Sequence, residues 1–362
     1  MRSGVTPIMI ADKSGQRQLI YNRGDVRIQT TVVGSYPIPR WLYGDSSKTT
    51  LQDAISVVLK TQELAGIDLV ADGELNRFDP SHPETNGMID YFVSRMSGVR
   101  TKYSVSDIEA FRADEGMGFR AAPAGIVEDE IGEGILNLPA DYEFTKELTP
   151  KPLKFTCTGP HMLAKTVTDC HYGSYAKVCM AIAEVLRKQL ERIPAAVVQV
   201  DEANISGHPE DTPWAIEALN HVLDGIQTTR AVHICFGNYG GQSIQKGFWK
   251  SLMPLLNGLH VNHYVLEFAR RGYEELPELK GLDSNIGIGL SVVDIKDNEV
   301  ESADLIASRI ENACKVVGEE RIHYIHPDCG FWMLQRSVAD RKMQALTAGR
   351  DLFYGRKEGA AG

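Results

Sequence analysis

The chain has 362 residues, of which 24% are charged, and carries a formal net charge of −10. That acidic balance, with Lys and Arg scattered, excludes a basic nucleic-acid surface, and no window approaches eighteen uncharged apolar residues, which excludes a membrane-spanning helix. Six cysteines, at 157, 170, 179, 235, 314 and 329, are too sparse for a disulfide scaffold and point to reduced thiols in a cytoplasmic protein.

Residues 1–26 are mixed and polar and read as an N-terminal arm or short hairpin, without the apolar core of a secretory signal. The first strand is expected over 28–34 (IQTTVVG), β-branched and followed at once by the turn Ser35-Tyr36-Pro37. A helix is expected over about 50–65, stopped by Gly66, and then a strand over 67–72 running into Gly73-Glu74. From 77 to 149 the pattern loosens, and this stretch reads as a long excursion from the main fold, covering the mouth of the site.

Regularity resumes with strands over 153–158, 195–200, 230–235, 263–266, 286–293 and 322–325. Helices alternate with them over about 175–193, 212–226, 247–256, 303–317 and 337–354. Eight short, β-branched strands alternating with helices, with no Gly-rich phosphate loop, predict an α/β fold of the (β/α)8 TIM-barrel type over 27–362, with a doubly wound sheet as the other arrangement.

In a barrel the C-terminal strand ends converge on one mouth. Here they carry Ser35, Glu74, Thr158, Asp201-Glu202, His233 with Cys235, Glu267, Asp294 and Asp328-Cys329. Some of these carboxylates serve as helix caps. His233 and Cys235, two apart on one strand, point the same way, and Cys329 sits in a Pro-Asp-Cys-Gly turn. An imidazole and two thiols suit a borderline-soft cation, zinc above all. Glu267 is the natural fourth ligand, with an ion pair to Arg270 or Arg271 as its alternative. A zinc with two thiolates suits the activation of a substrate thiol.

The ordered motifs GSYP, DGE, TGP, VDE, HxC, LEF and HPDCG, spread over about residues 28 to 350, resemble the catalytic half of cobalamin-independent methionine synthase. The resemblance implies a zinc-dependent S-methyltransferase that makes methionine, with zinc on His233, Cys235, Glu267 and Cys329. It implies homocysteine held by Ser35, Glu74 and Asp201, and either methylfolate or a methylcorrinoid protein as methyl donor. Where the family reads Asp-Ile-His, this chain reads Asp294-Ile295-Lys296. Asp294 and Lys296 are therefore the catalytic candidates, Lys296 as a proton donor. The loop FGNYGGQSIQKGFWK after the metal pair is longer and richer in glycine than the family's. Two other functions fit the same residues: a zinc-dependent alkyltransferase for another thiol, of the epoxide:coenzyme M type, and a non-catalytic zinc-stabilised thiol-binding protein. His161, just past a strand end, is a candidate contact for the second substrate.

Overall fold

The computed structural model describes residues 8–11, 17–20, 28–45, 47–83, 85–113, 120–237 and 245–360. Strands β1 (Ile8–Ala11) and β2 (Arg17–Ile20) pair antiparallel within the stretch expected as an arm, most of which lies outside the described residues. Strand β3 (Gln29–Thr30), helix α1 (Lys48–Leu64) and strand β4 (Val70–Ala71) open the main sheet. Helix α1 starts where the Ser47 hydroxyl accepts from the Thr50 amide and stops at Gly66, whose φ of +85° favours glycine.

Helix α2 (Asp90–Val93), strand β5 (Ser97–Arg100), helix α3 (Val105–Arg112), strand β6 (Ile126–Gly132) and helix α4 (Leu138–Lys146) follow. After strand β7 (Leu153–Thr158), a short helix α5 (Pro160–Lys165) leads to strand β8 (Thr168–Asp169), and helix α6 spans Tyr175–Leu190. The remainder alternates regularly: β9 (Val197–Glu202), α7 (Thr212–Leu223), β10 (Thr229–Ile234), α8 (Trp249–Gly258), β11 (His263–Leu266) and β12 (Gly287–Val293). Helix α9 (Ala303–Val317), strand β13 (Ile322–Pro327) and helix α10 (Arg336–Ala360) complete it.

Eight of these strands form one parallel sheet in the order β3-β13-β12-β11-β10-β9-β7-β4. Its two edges meet through a parallel bridge between Thr31 and Leu69, where the amides of Asp68 and Leu69 both donate to the Thr30 carbonyl at 3.1 Å. The sheet is thus curled into a TIM-barrel-like wall with helices outside. Strands β7, β9, β11 and β12 are buried along their whole length, as strands covered on both faces must be. Helix α10 closes back onto the start of the sheet, the Tyr354 hydroxyl accepting from the Ile28 amide at 2.6 Å and Thr347 donating to the Ala65 carbonyl at 2.6 Å.

The first two barrel strands are shorter in the ladder than the expected 28–34 and 67–72, because side chains take over their backbone groups. Gln62 donates to the Ala71 carbonyl at 2.7 Å and accepts from its amide at 2.9 Å. Lys154 and Gln199 hold the carbonyls of Val32 and Val33. Strands β5, β6 and β8 form a separate three-stranded sheet. Helix α4 lies against α6, the Leu138 amide donating to Gln189 at 2.9 Å. Of the stretch 77–149, the part that reaches the cavity described below runs from Arg77 to Ile89. Among the described residues, no helix is long and apolar enough to cross a membrane.

Candidate metal and thiol site

Strand β10 delivers His233 and, one residue past its end, Cys235; the turn after β13 delivers Cys329. All three are buried, and one donor atom from each lies within 4.8 Å of the other two. The His233 Nδ1 stands 2.9 Å from the Val265 carbonyl oxygen. A carbonyl only accepts, so the ring proton sits on Nδ1 and the lone pair of Nε2 faces the thiols. That buried Nε2 has no hydrogen-bond partner, an orphan that a cation would satisfy. The hydrogen bond from Cys235 holds Cys329 well below the usual thiol range, against the effect of burial. The same bond, with burial, pushes Cys235 well up. Two cysteine sulfurs and an imidazole nitrogen gathered within 4.8 Å of one another are a donor set that suits a soft divalent metal.

Glu267 does not join this three-member cluster. It is fully buried just past β11, with Oε1 2.9 Å from the Lys296 ammonium and Oε2 accepting from the Phe236 amide at 2.8 Å. The sequence-based alternative, an arginine partner for Glu267, is not what the structure shows. Arg270 pairs with Asp294 at 3.2 Å, and Arg271 pairs with Glu275 at 2.9 Å while lying over the Phe236 ring. Lys296 is not placed as a free acid: its side chain is 1% exposed and does not line the cavity. Burial works to lower its pKa, but Glu267 and the two nearby thiols outweigh burial and raise it. Asp294 likewise stays off the cavity, one oxygen on Arg270 and the other accepting from the Lys296 amide at 2.8 Å, so it shapes the turn that presents Lys296.

The three residues expected to hold the substrate do come together with the donor cluster. Ser35, Glu74, Asp201, His233, Cys235 and Cys329 all line one cavity of about 670 Å³. Glu74 is the only non-glycine residue with positive φ among the described residues, at φ 59° and ψ 23°, directly after Gly73 at φ 78°. A left-handed non-glycine residue costs on the order of 1–3 kcal/mol and persists only where its surroundings enforce it. Here Asp72 accepts from the Glu74 amide at 2.8 Å, Thr156 donates to Oε1 at 2.7 Å, and the buried Arg77 guanidinium stands 3.2 Å from Oε2. Arg77 is itself fixed on the Thr156 carbonyl at 2.5 Å. Two glycines leave room for these groups. A Cβ on Gly34 would lie 2.2 Å from the Glu74 Oε1, and one on Gly330 would lie 1.9 Å from the Ser35 Oγ. Asp201 is 3% exposed, and burial pushes its carboxyl up, with Glu74 reinforcing the shift and His233 opposing it.

Other strand-end groups turn out to be structural. Both Glu202 oxygens accept from the first amides of α5, those of His161 and Met162, at 2.9 and 3.0 Å. His161 is fully buried with Nε2 2.9 Å from Asp211, so it is walled off from a second substrate. Asp328 accepts from the amides of Ala269 and Arg270 at 2.8 and 2.7 Å and from the Ser291 hydroxyl at 2.5 Å, which ties the Glu267 loop to the Cys329 turn. Trp249 stacks on Phe268 in the core, whereas Trp332 lines the cavity and is 40% exposed. Of the remaining thiols, Cys157 and Cys179 are raised by burial and inert, and Cys170 is exposed. Within the long Gly-rich loop, residues 238–244 lie outside the described residues. Thr156, Lys154 and Gln199 escaped the sequence reading because a polar residue in an apolar strand is easily passed over, and Arg77, in the short 3-10 helix Leu75–Arg77, carries no motif of its own. The one available signal was period: Lys154, Thr156 and Thr158 alternate along β7, as do Gln199 and Asp201 along β9.

The TIM-barrel-like fold gathers thiols, an imidazole and carboxylates at its strand ends, an arrangement suited to chemistry on a small thiol substrate. Residues 28–349 match the family described as the catalytic domain of cobalamin-independent synthase, and the chain belongs to that family. It is accordingly a methyltransferase. Its relatives include the methionine synthase of Pyrococcus furiosus, 30% identical over 332 residues, covering 87% of this chain and 90% of the relative. The methionine synthase of Thermococcus kodakarensis is 27% identical over 341 residues, covering 90% and 93%. Among solved structures, a B12-independent methionine synthase from Shewanella sp. W3-18-1, in complex with selenomethionine, shares the fold with a TM-score of 0.77 at 24% identity, covering 93% of this chain and 100% of that one.

Proposed function

We propose that this chain transfers a methyl group to the sulfur of homocysteine, giving methionine, with zinc held by His233, Cys235 and Cys329. The observation that carries the reading is the single cavity that joins these soft donors to Ser35, Glu74 and Asp201. Zinc bound there would lower the pKa of the substrate thiol and hold it as a nucleophilic thiolate. Three protein ligands are the number that leaves a position for substrate in a catalytic zinc site. Glu267, whose oxygens rest on Lys296 and the Phe236 amide, is the fourth protein ligand that the family resemblance implies, in the position the substrate thiol would take.

The chain's own residues supply recognition of the amino-acid end. Glu74 and Asp201 offer two carboxylates to the ammonium, and the Ser35 hydroxyl offers a donor to the carboxylate. The donor cluster opens onto a cavity, which favours a reactive site over a closed structural one. Arg77 is the single Lys or Arg that lines the cavity among the described residues, and its guanidinium is committed to Glu74 and Thr156. A sulfonate thiol such as coenzyme M therefore finds no available cation. The methyl donor is a methylfolate or a methylcorrinoid protein, and the six free cysteines suit a reducing, cytoplasmic setting.

The test is zinc analysis of protein purified under reducing conditions, followed by calorimetric titration with homocysteine and assays with methylfolate and methylcobalamin. About one zinc per chain and homocysteine binding lost in Cys329→Ser are expected. Protein that binds no zinc, or binds coenzyme M better than homocysteine, overturns the reading.

A further inference from the structure

Lys154 lies on β7 with its side chain inside the barrel and 2% exposed. Its ammonium donates to the Val32 carbonyl and to the Gln199 Oε1, the latter at 2.8 Å. Gln199, on the neighbouring β9 and fully buried, donates from Nε2 to the Val33 carbonyl at 3.0 Å and to Asp201 Oδ1 at 2.7 Å. Lys154 donates to the Gln199 Oε1 and so favours the amide orientation in which the oxygen faces it, while burial pushes its own pKa down to about 7. The NH2 group then faces Asp201 and Val33.

This arrangement reaches both ends of the amino-acid subsite. The β3 ladder stops near Thr31, and the carbonyls of Val32 and Val33 beyond it are held by these two side chains on the way to Ser35. Asp201 receives a neutral donor at Oδ1, which leaves Oδ2 for a ligand.

We propose that Lys154, acting through Gln199, is a positioning residue for recognition of the substrate's amino group: it locks the amide so that Asp201 presents a free carboxylate oxygen to the ammonium. The inference rests on the homocysteine reading above. Without Lys154 the Gln199 Oε1 loses its donor, and the amide is held only by its bonds to Val33 and Asp201, so its grip on Asp201 loosens.

The test compares two thiols on the zinc-loaded full chain: homocysteine, and 4-mercaptobutanoate, which has the same chain and carboxylate without the amino group. In Lys154→Met, homocysteine affinity and KM are expected to weaken by about tenfold, the scale of one lost charge-assisted contact, with the loss on KM rather than kcat. The 4-mercaptobutanoate inhibition constant is expected to move by less than about twofold, well below that scale. Adding Lys154→Met to Gln199→Met should cause no further loss, since both act along one path. Equal weakening of the two thiols, additive effects in the double variant, or unchanged homocysteine affinity overturns the proposal. Should Lys154→Met fail to fold, Gln199→Met alone must show the same selective loss of homocysteine, and a non-selective loss there overturns it too. Wild-type protein that binds no homocysteine defeats the functional reading itself, whereas wild-type binding with insensitive variants defeats this inference alone.

Discussion

Glu74 carries its carboxylate from a left-handed backbone, and the surrounding contacts decide where that carboxylate lies. Gly34 is the tightest of them, since any Cβ there would stand 2.2 Å from Oε1. Gly34→Ala should therefore displace the Glu74 carboxylate, destabilise the fold by about 1–3 kcal/mol as overpacking does, and raise the KM for homocysteine while zinc content holds. Denaturant melts and kinetics on the same sample check this, and an unchanged KM would show that Glu74 does not touch the substrate. Asp72, which receives the Glu74 amide, gives a pH signature. Burial pushes its carboxyl up to about 6, with Arg77 pulling the other way. The folded state thus holds a proton more tightly than the unfolded chain. The stability from that proton is present at low pH and is lost as pH rises from about 4 to about 6, by about 2–3 kcal/mol in total. Asp72→Asn keeps the acceptor for the Glu74 amide and removes the titration. Wild type minus variant stability should fall across that window and stay flat above it; a flat difference throughout would refute the assignment. His233, Cys235 and Cys329 were legible in the sequence because soft donors at strand ends are rare. The occupation of Glu267 by Lys296 and the Phe236 amide was not, because sequence spacing says nothing about which carboxylate finds which ammonium.

Elements were easier to read than contacts. Strands and helices from 153 onward follow the apolar period closely, because strands covered on both faces leave continuous β-branched runs. The sequence missed α5 and the small sheet of β5, β6 and β8, whose strands are short and whose exposed positions break the pattern. The shortened ladders of β3 and β4 were equally hidden, since the groups that replace a neighbouring strand there are side chains of Gln62, Lys154 and Gln199. Closure at this seam depends on α10, which anchors the start of β3 through Tyr354. Tyr354→Phe leaves the buried Ile28 amide without its acceptor, at a cost of about 1–3 kcal/mol. Hydrogen exchange should show the loss as faster exchange near Ile28 to Thr31, ahead of any change in β10 to β12. Uniform acceleration across the sheet would argue against a local seam.

For the whole molecule, a cation on His233, Cys235 and Cys329 would act as a fastening. Cys329 follows β13 and His233 lies in β10, with β12 and β11 between them in the sheet. A cation shared by these residues would span the barrel mouth across four strands and would satisfy the orphaned imidazole nitrogen beside two buried thiols. Binding to the folded chain alone stabilises it by mass action, by about 4 kcal/mol at a thousandfold excess over Kd. For a chain of this size that corresponds to a rise in Tm on the order of 5 °C. Chelation should lower the Tm of wild-type protein by about that amount, and zinc should restore it while the common buffer cations magnesium and calcium, which prefer oxygen ligands, do not. Cys329→Ser should melt at the chelated temperature and ignore both treatments. Coincident melts for loaded and chelated wild type would mean that the strand ends are held by protein contacts such as the Asp328 brace alone, and that the three donors hold no stabilising metal.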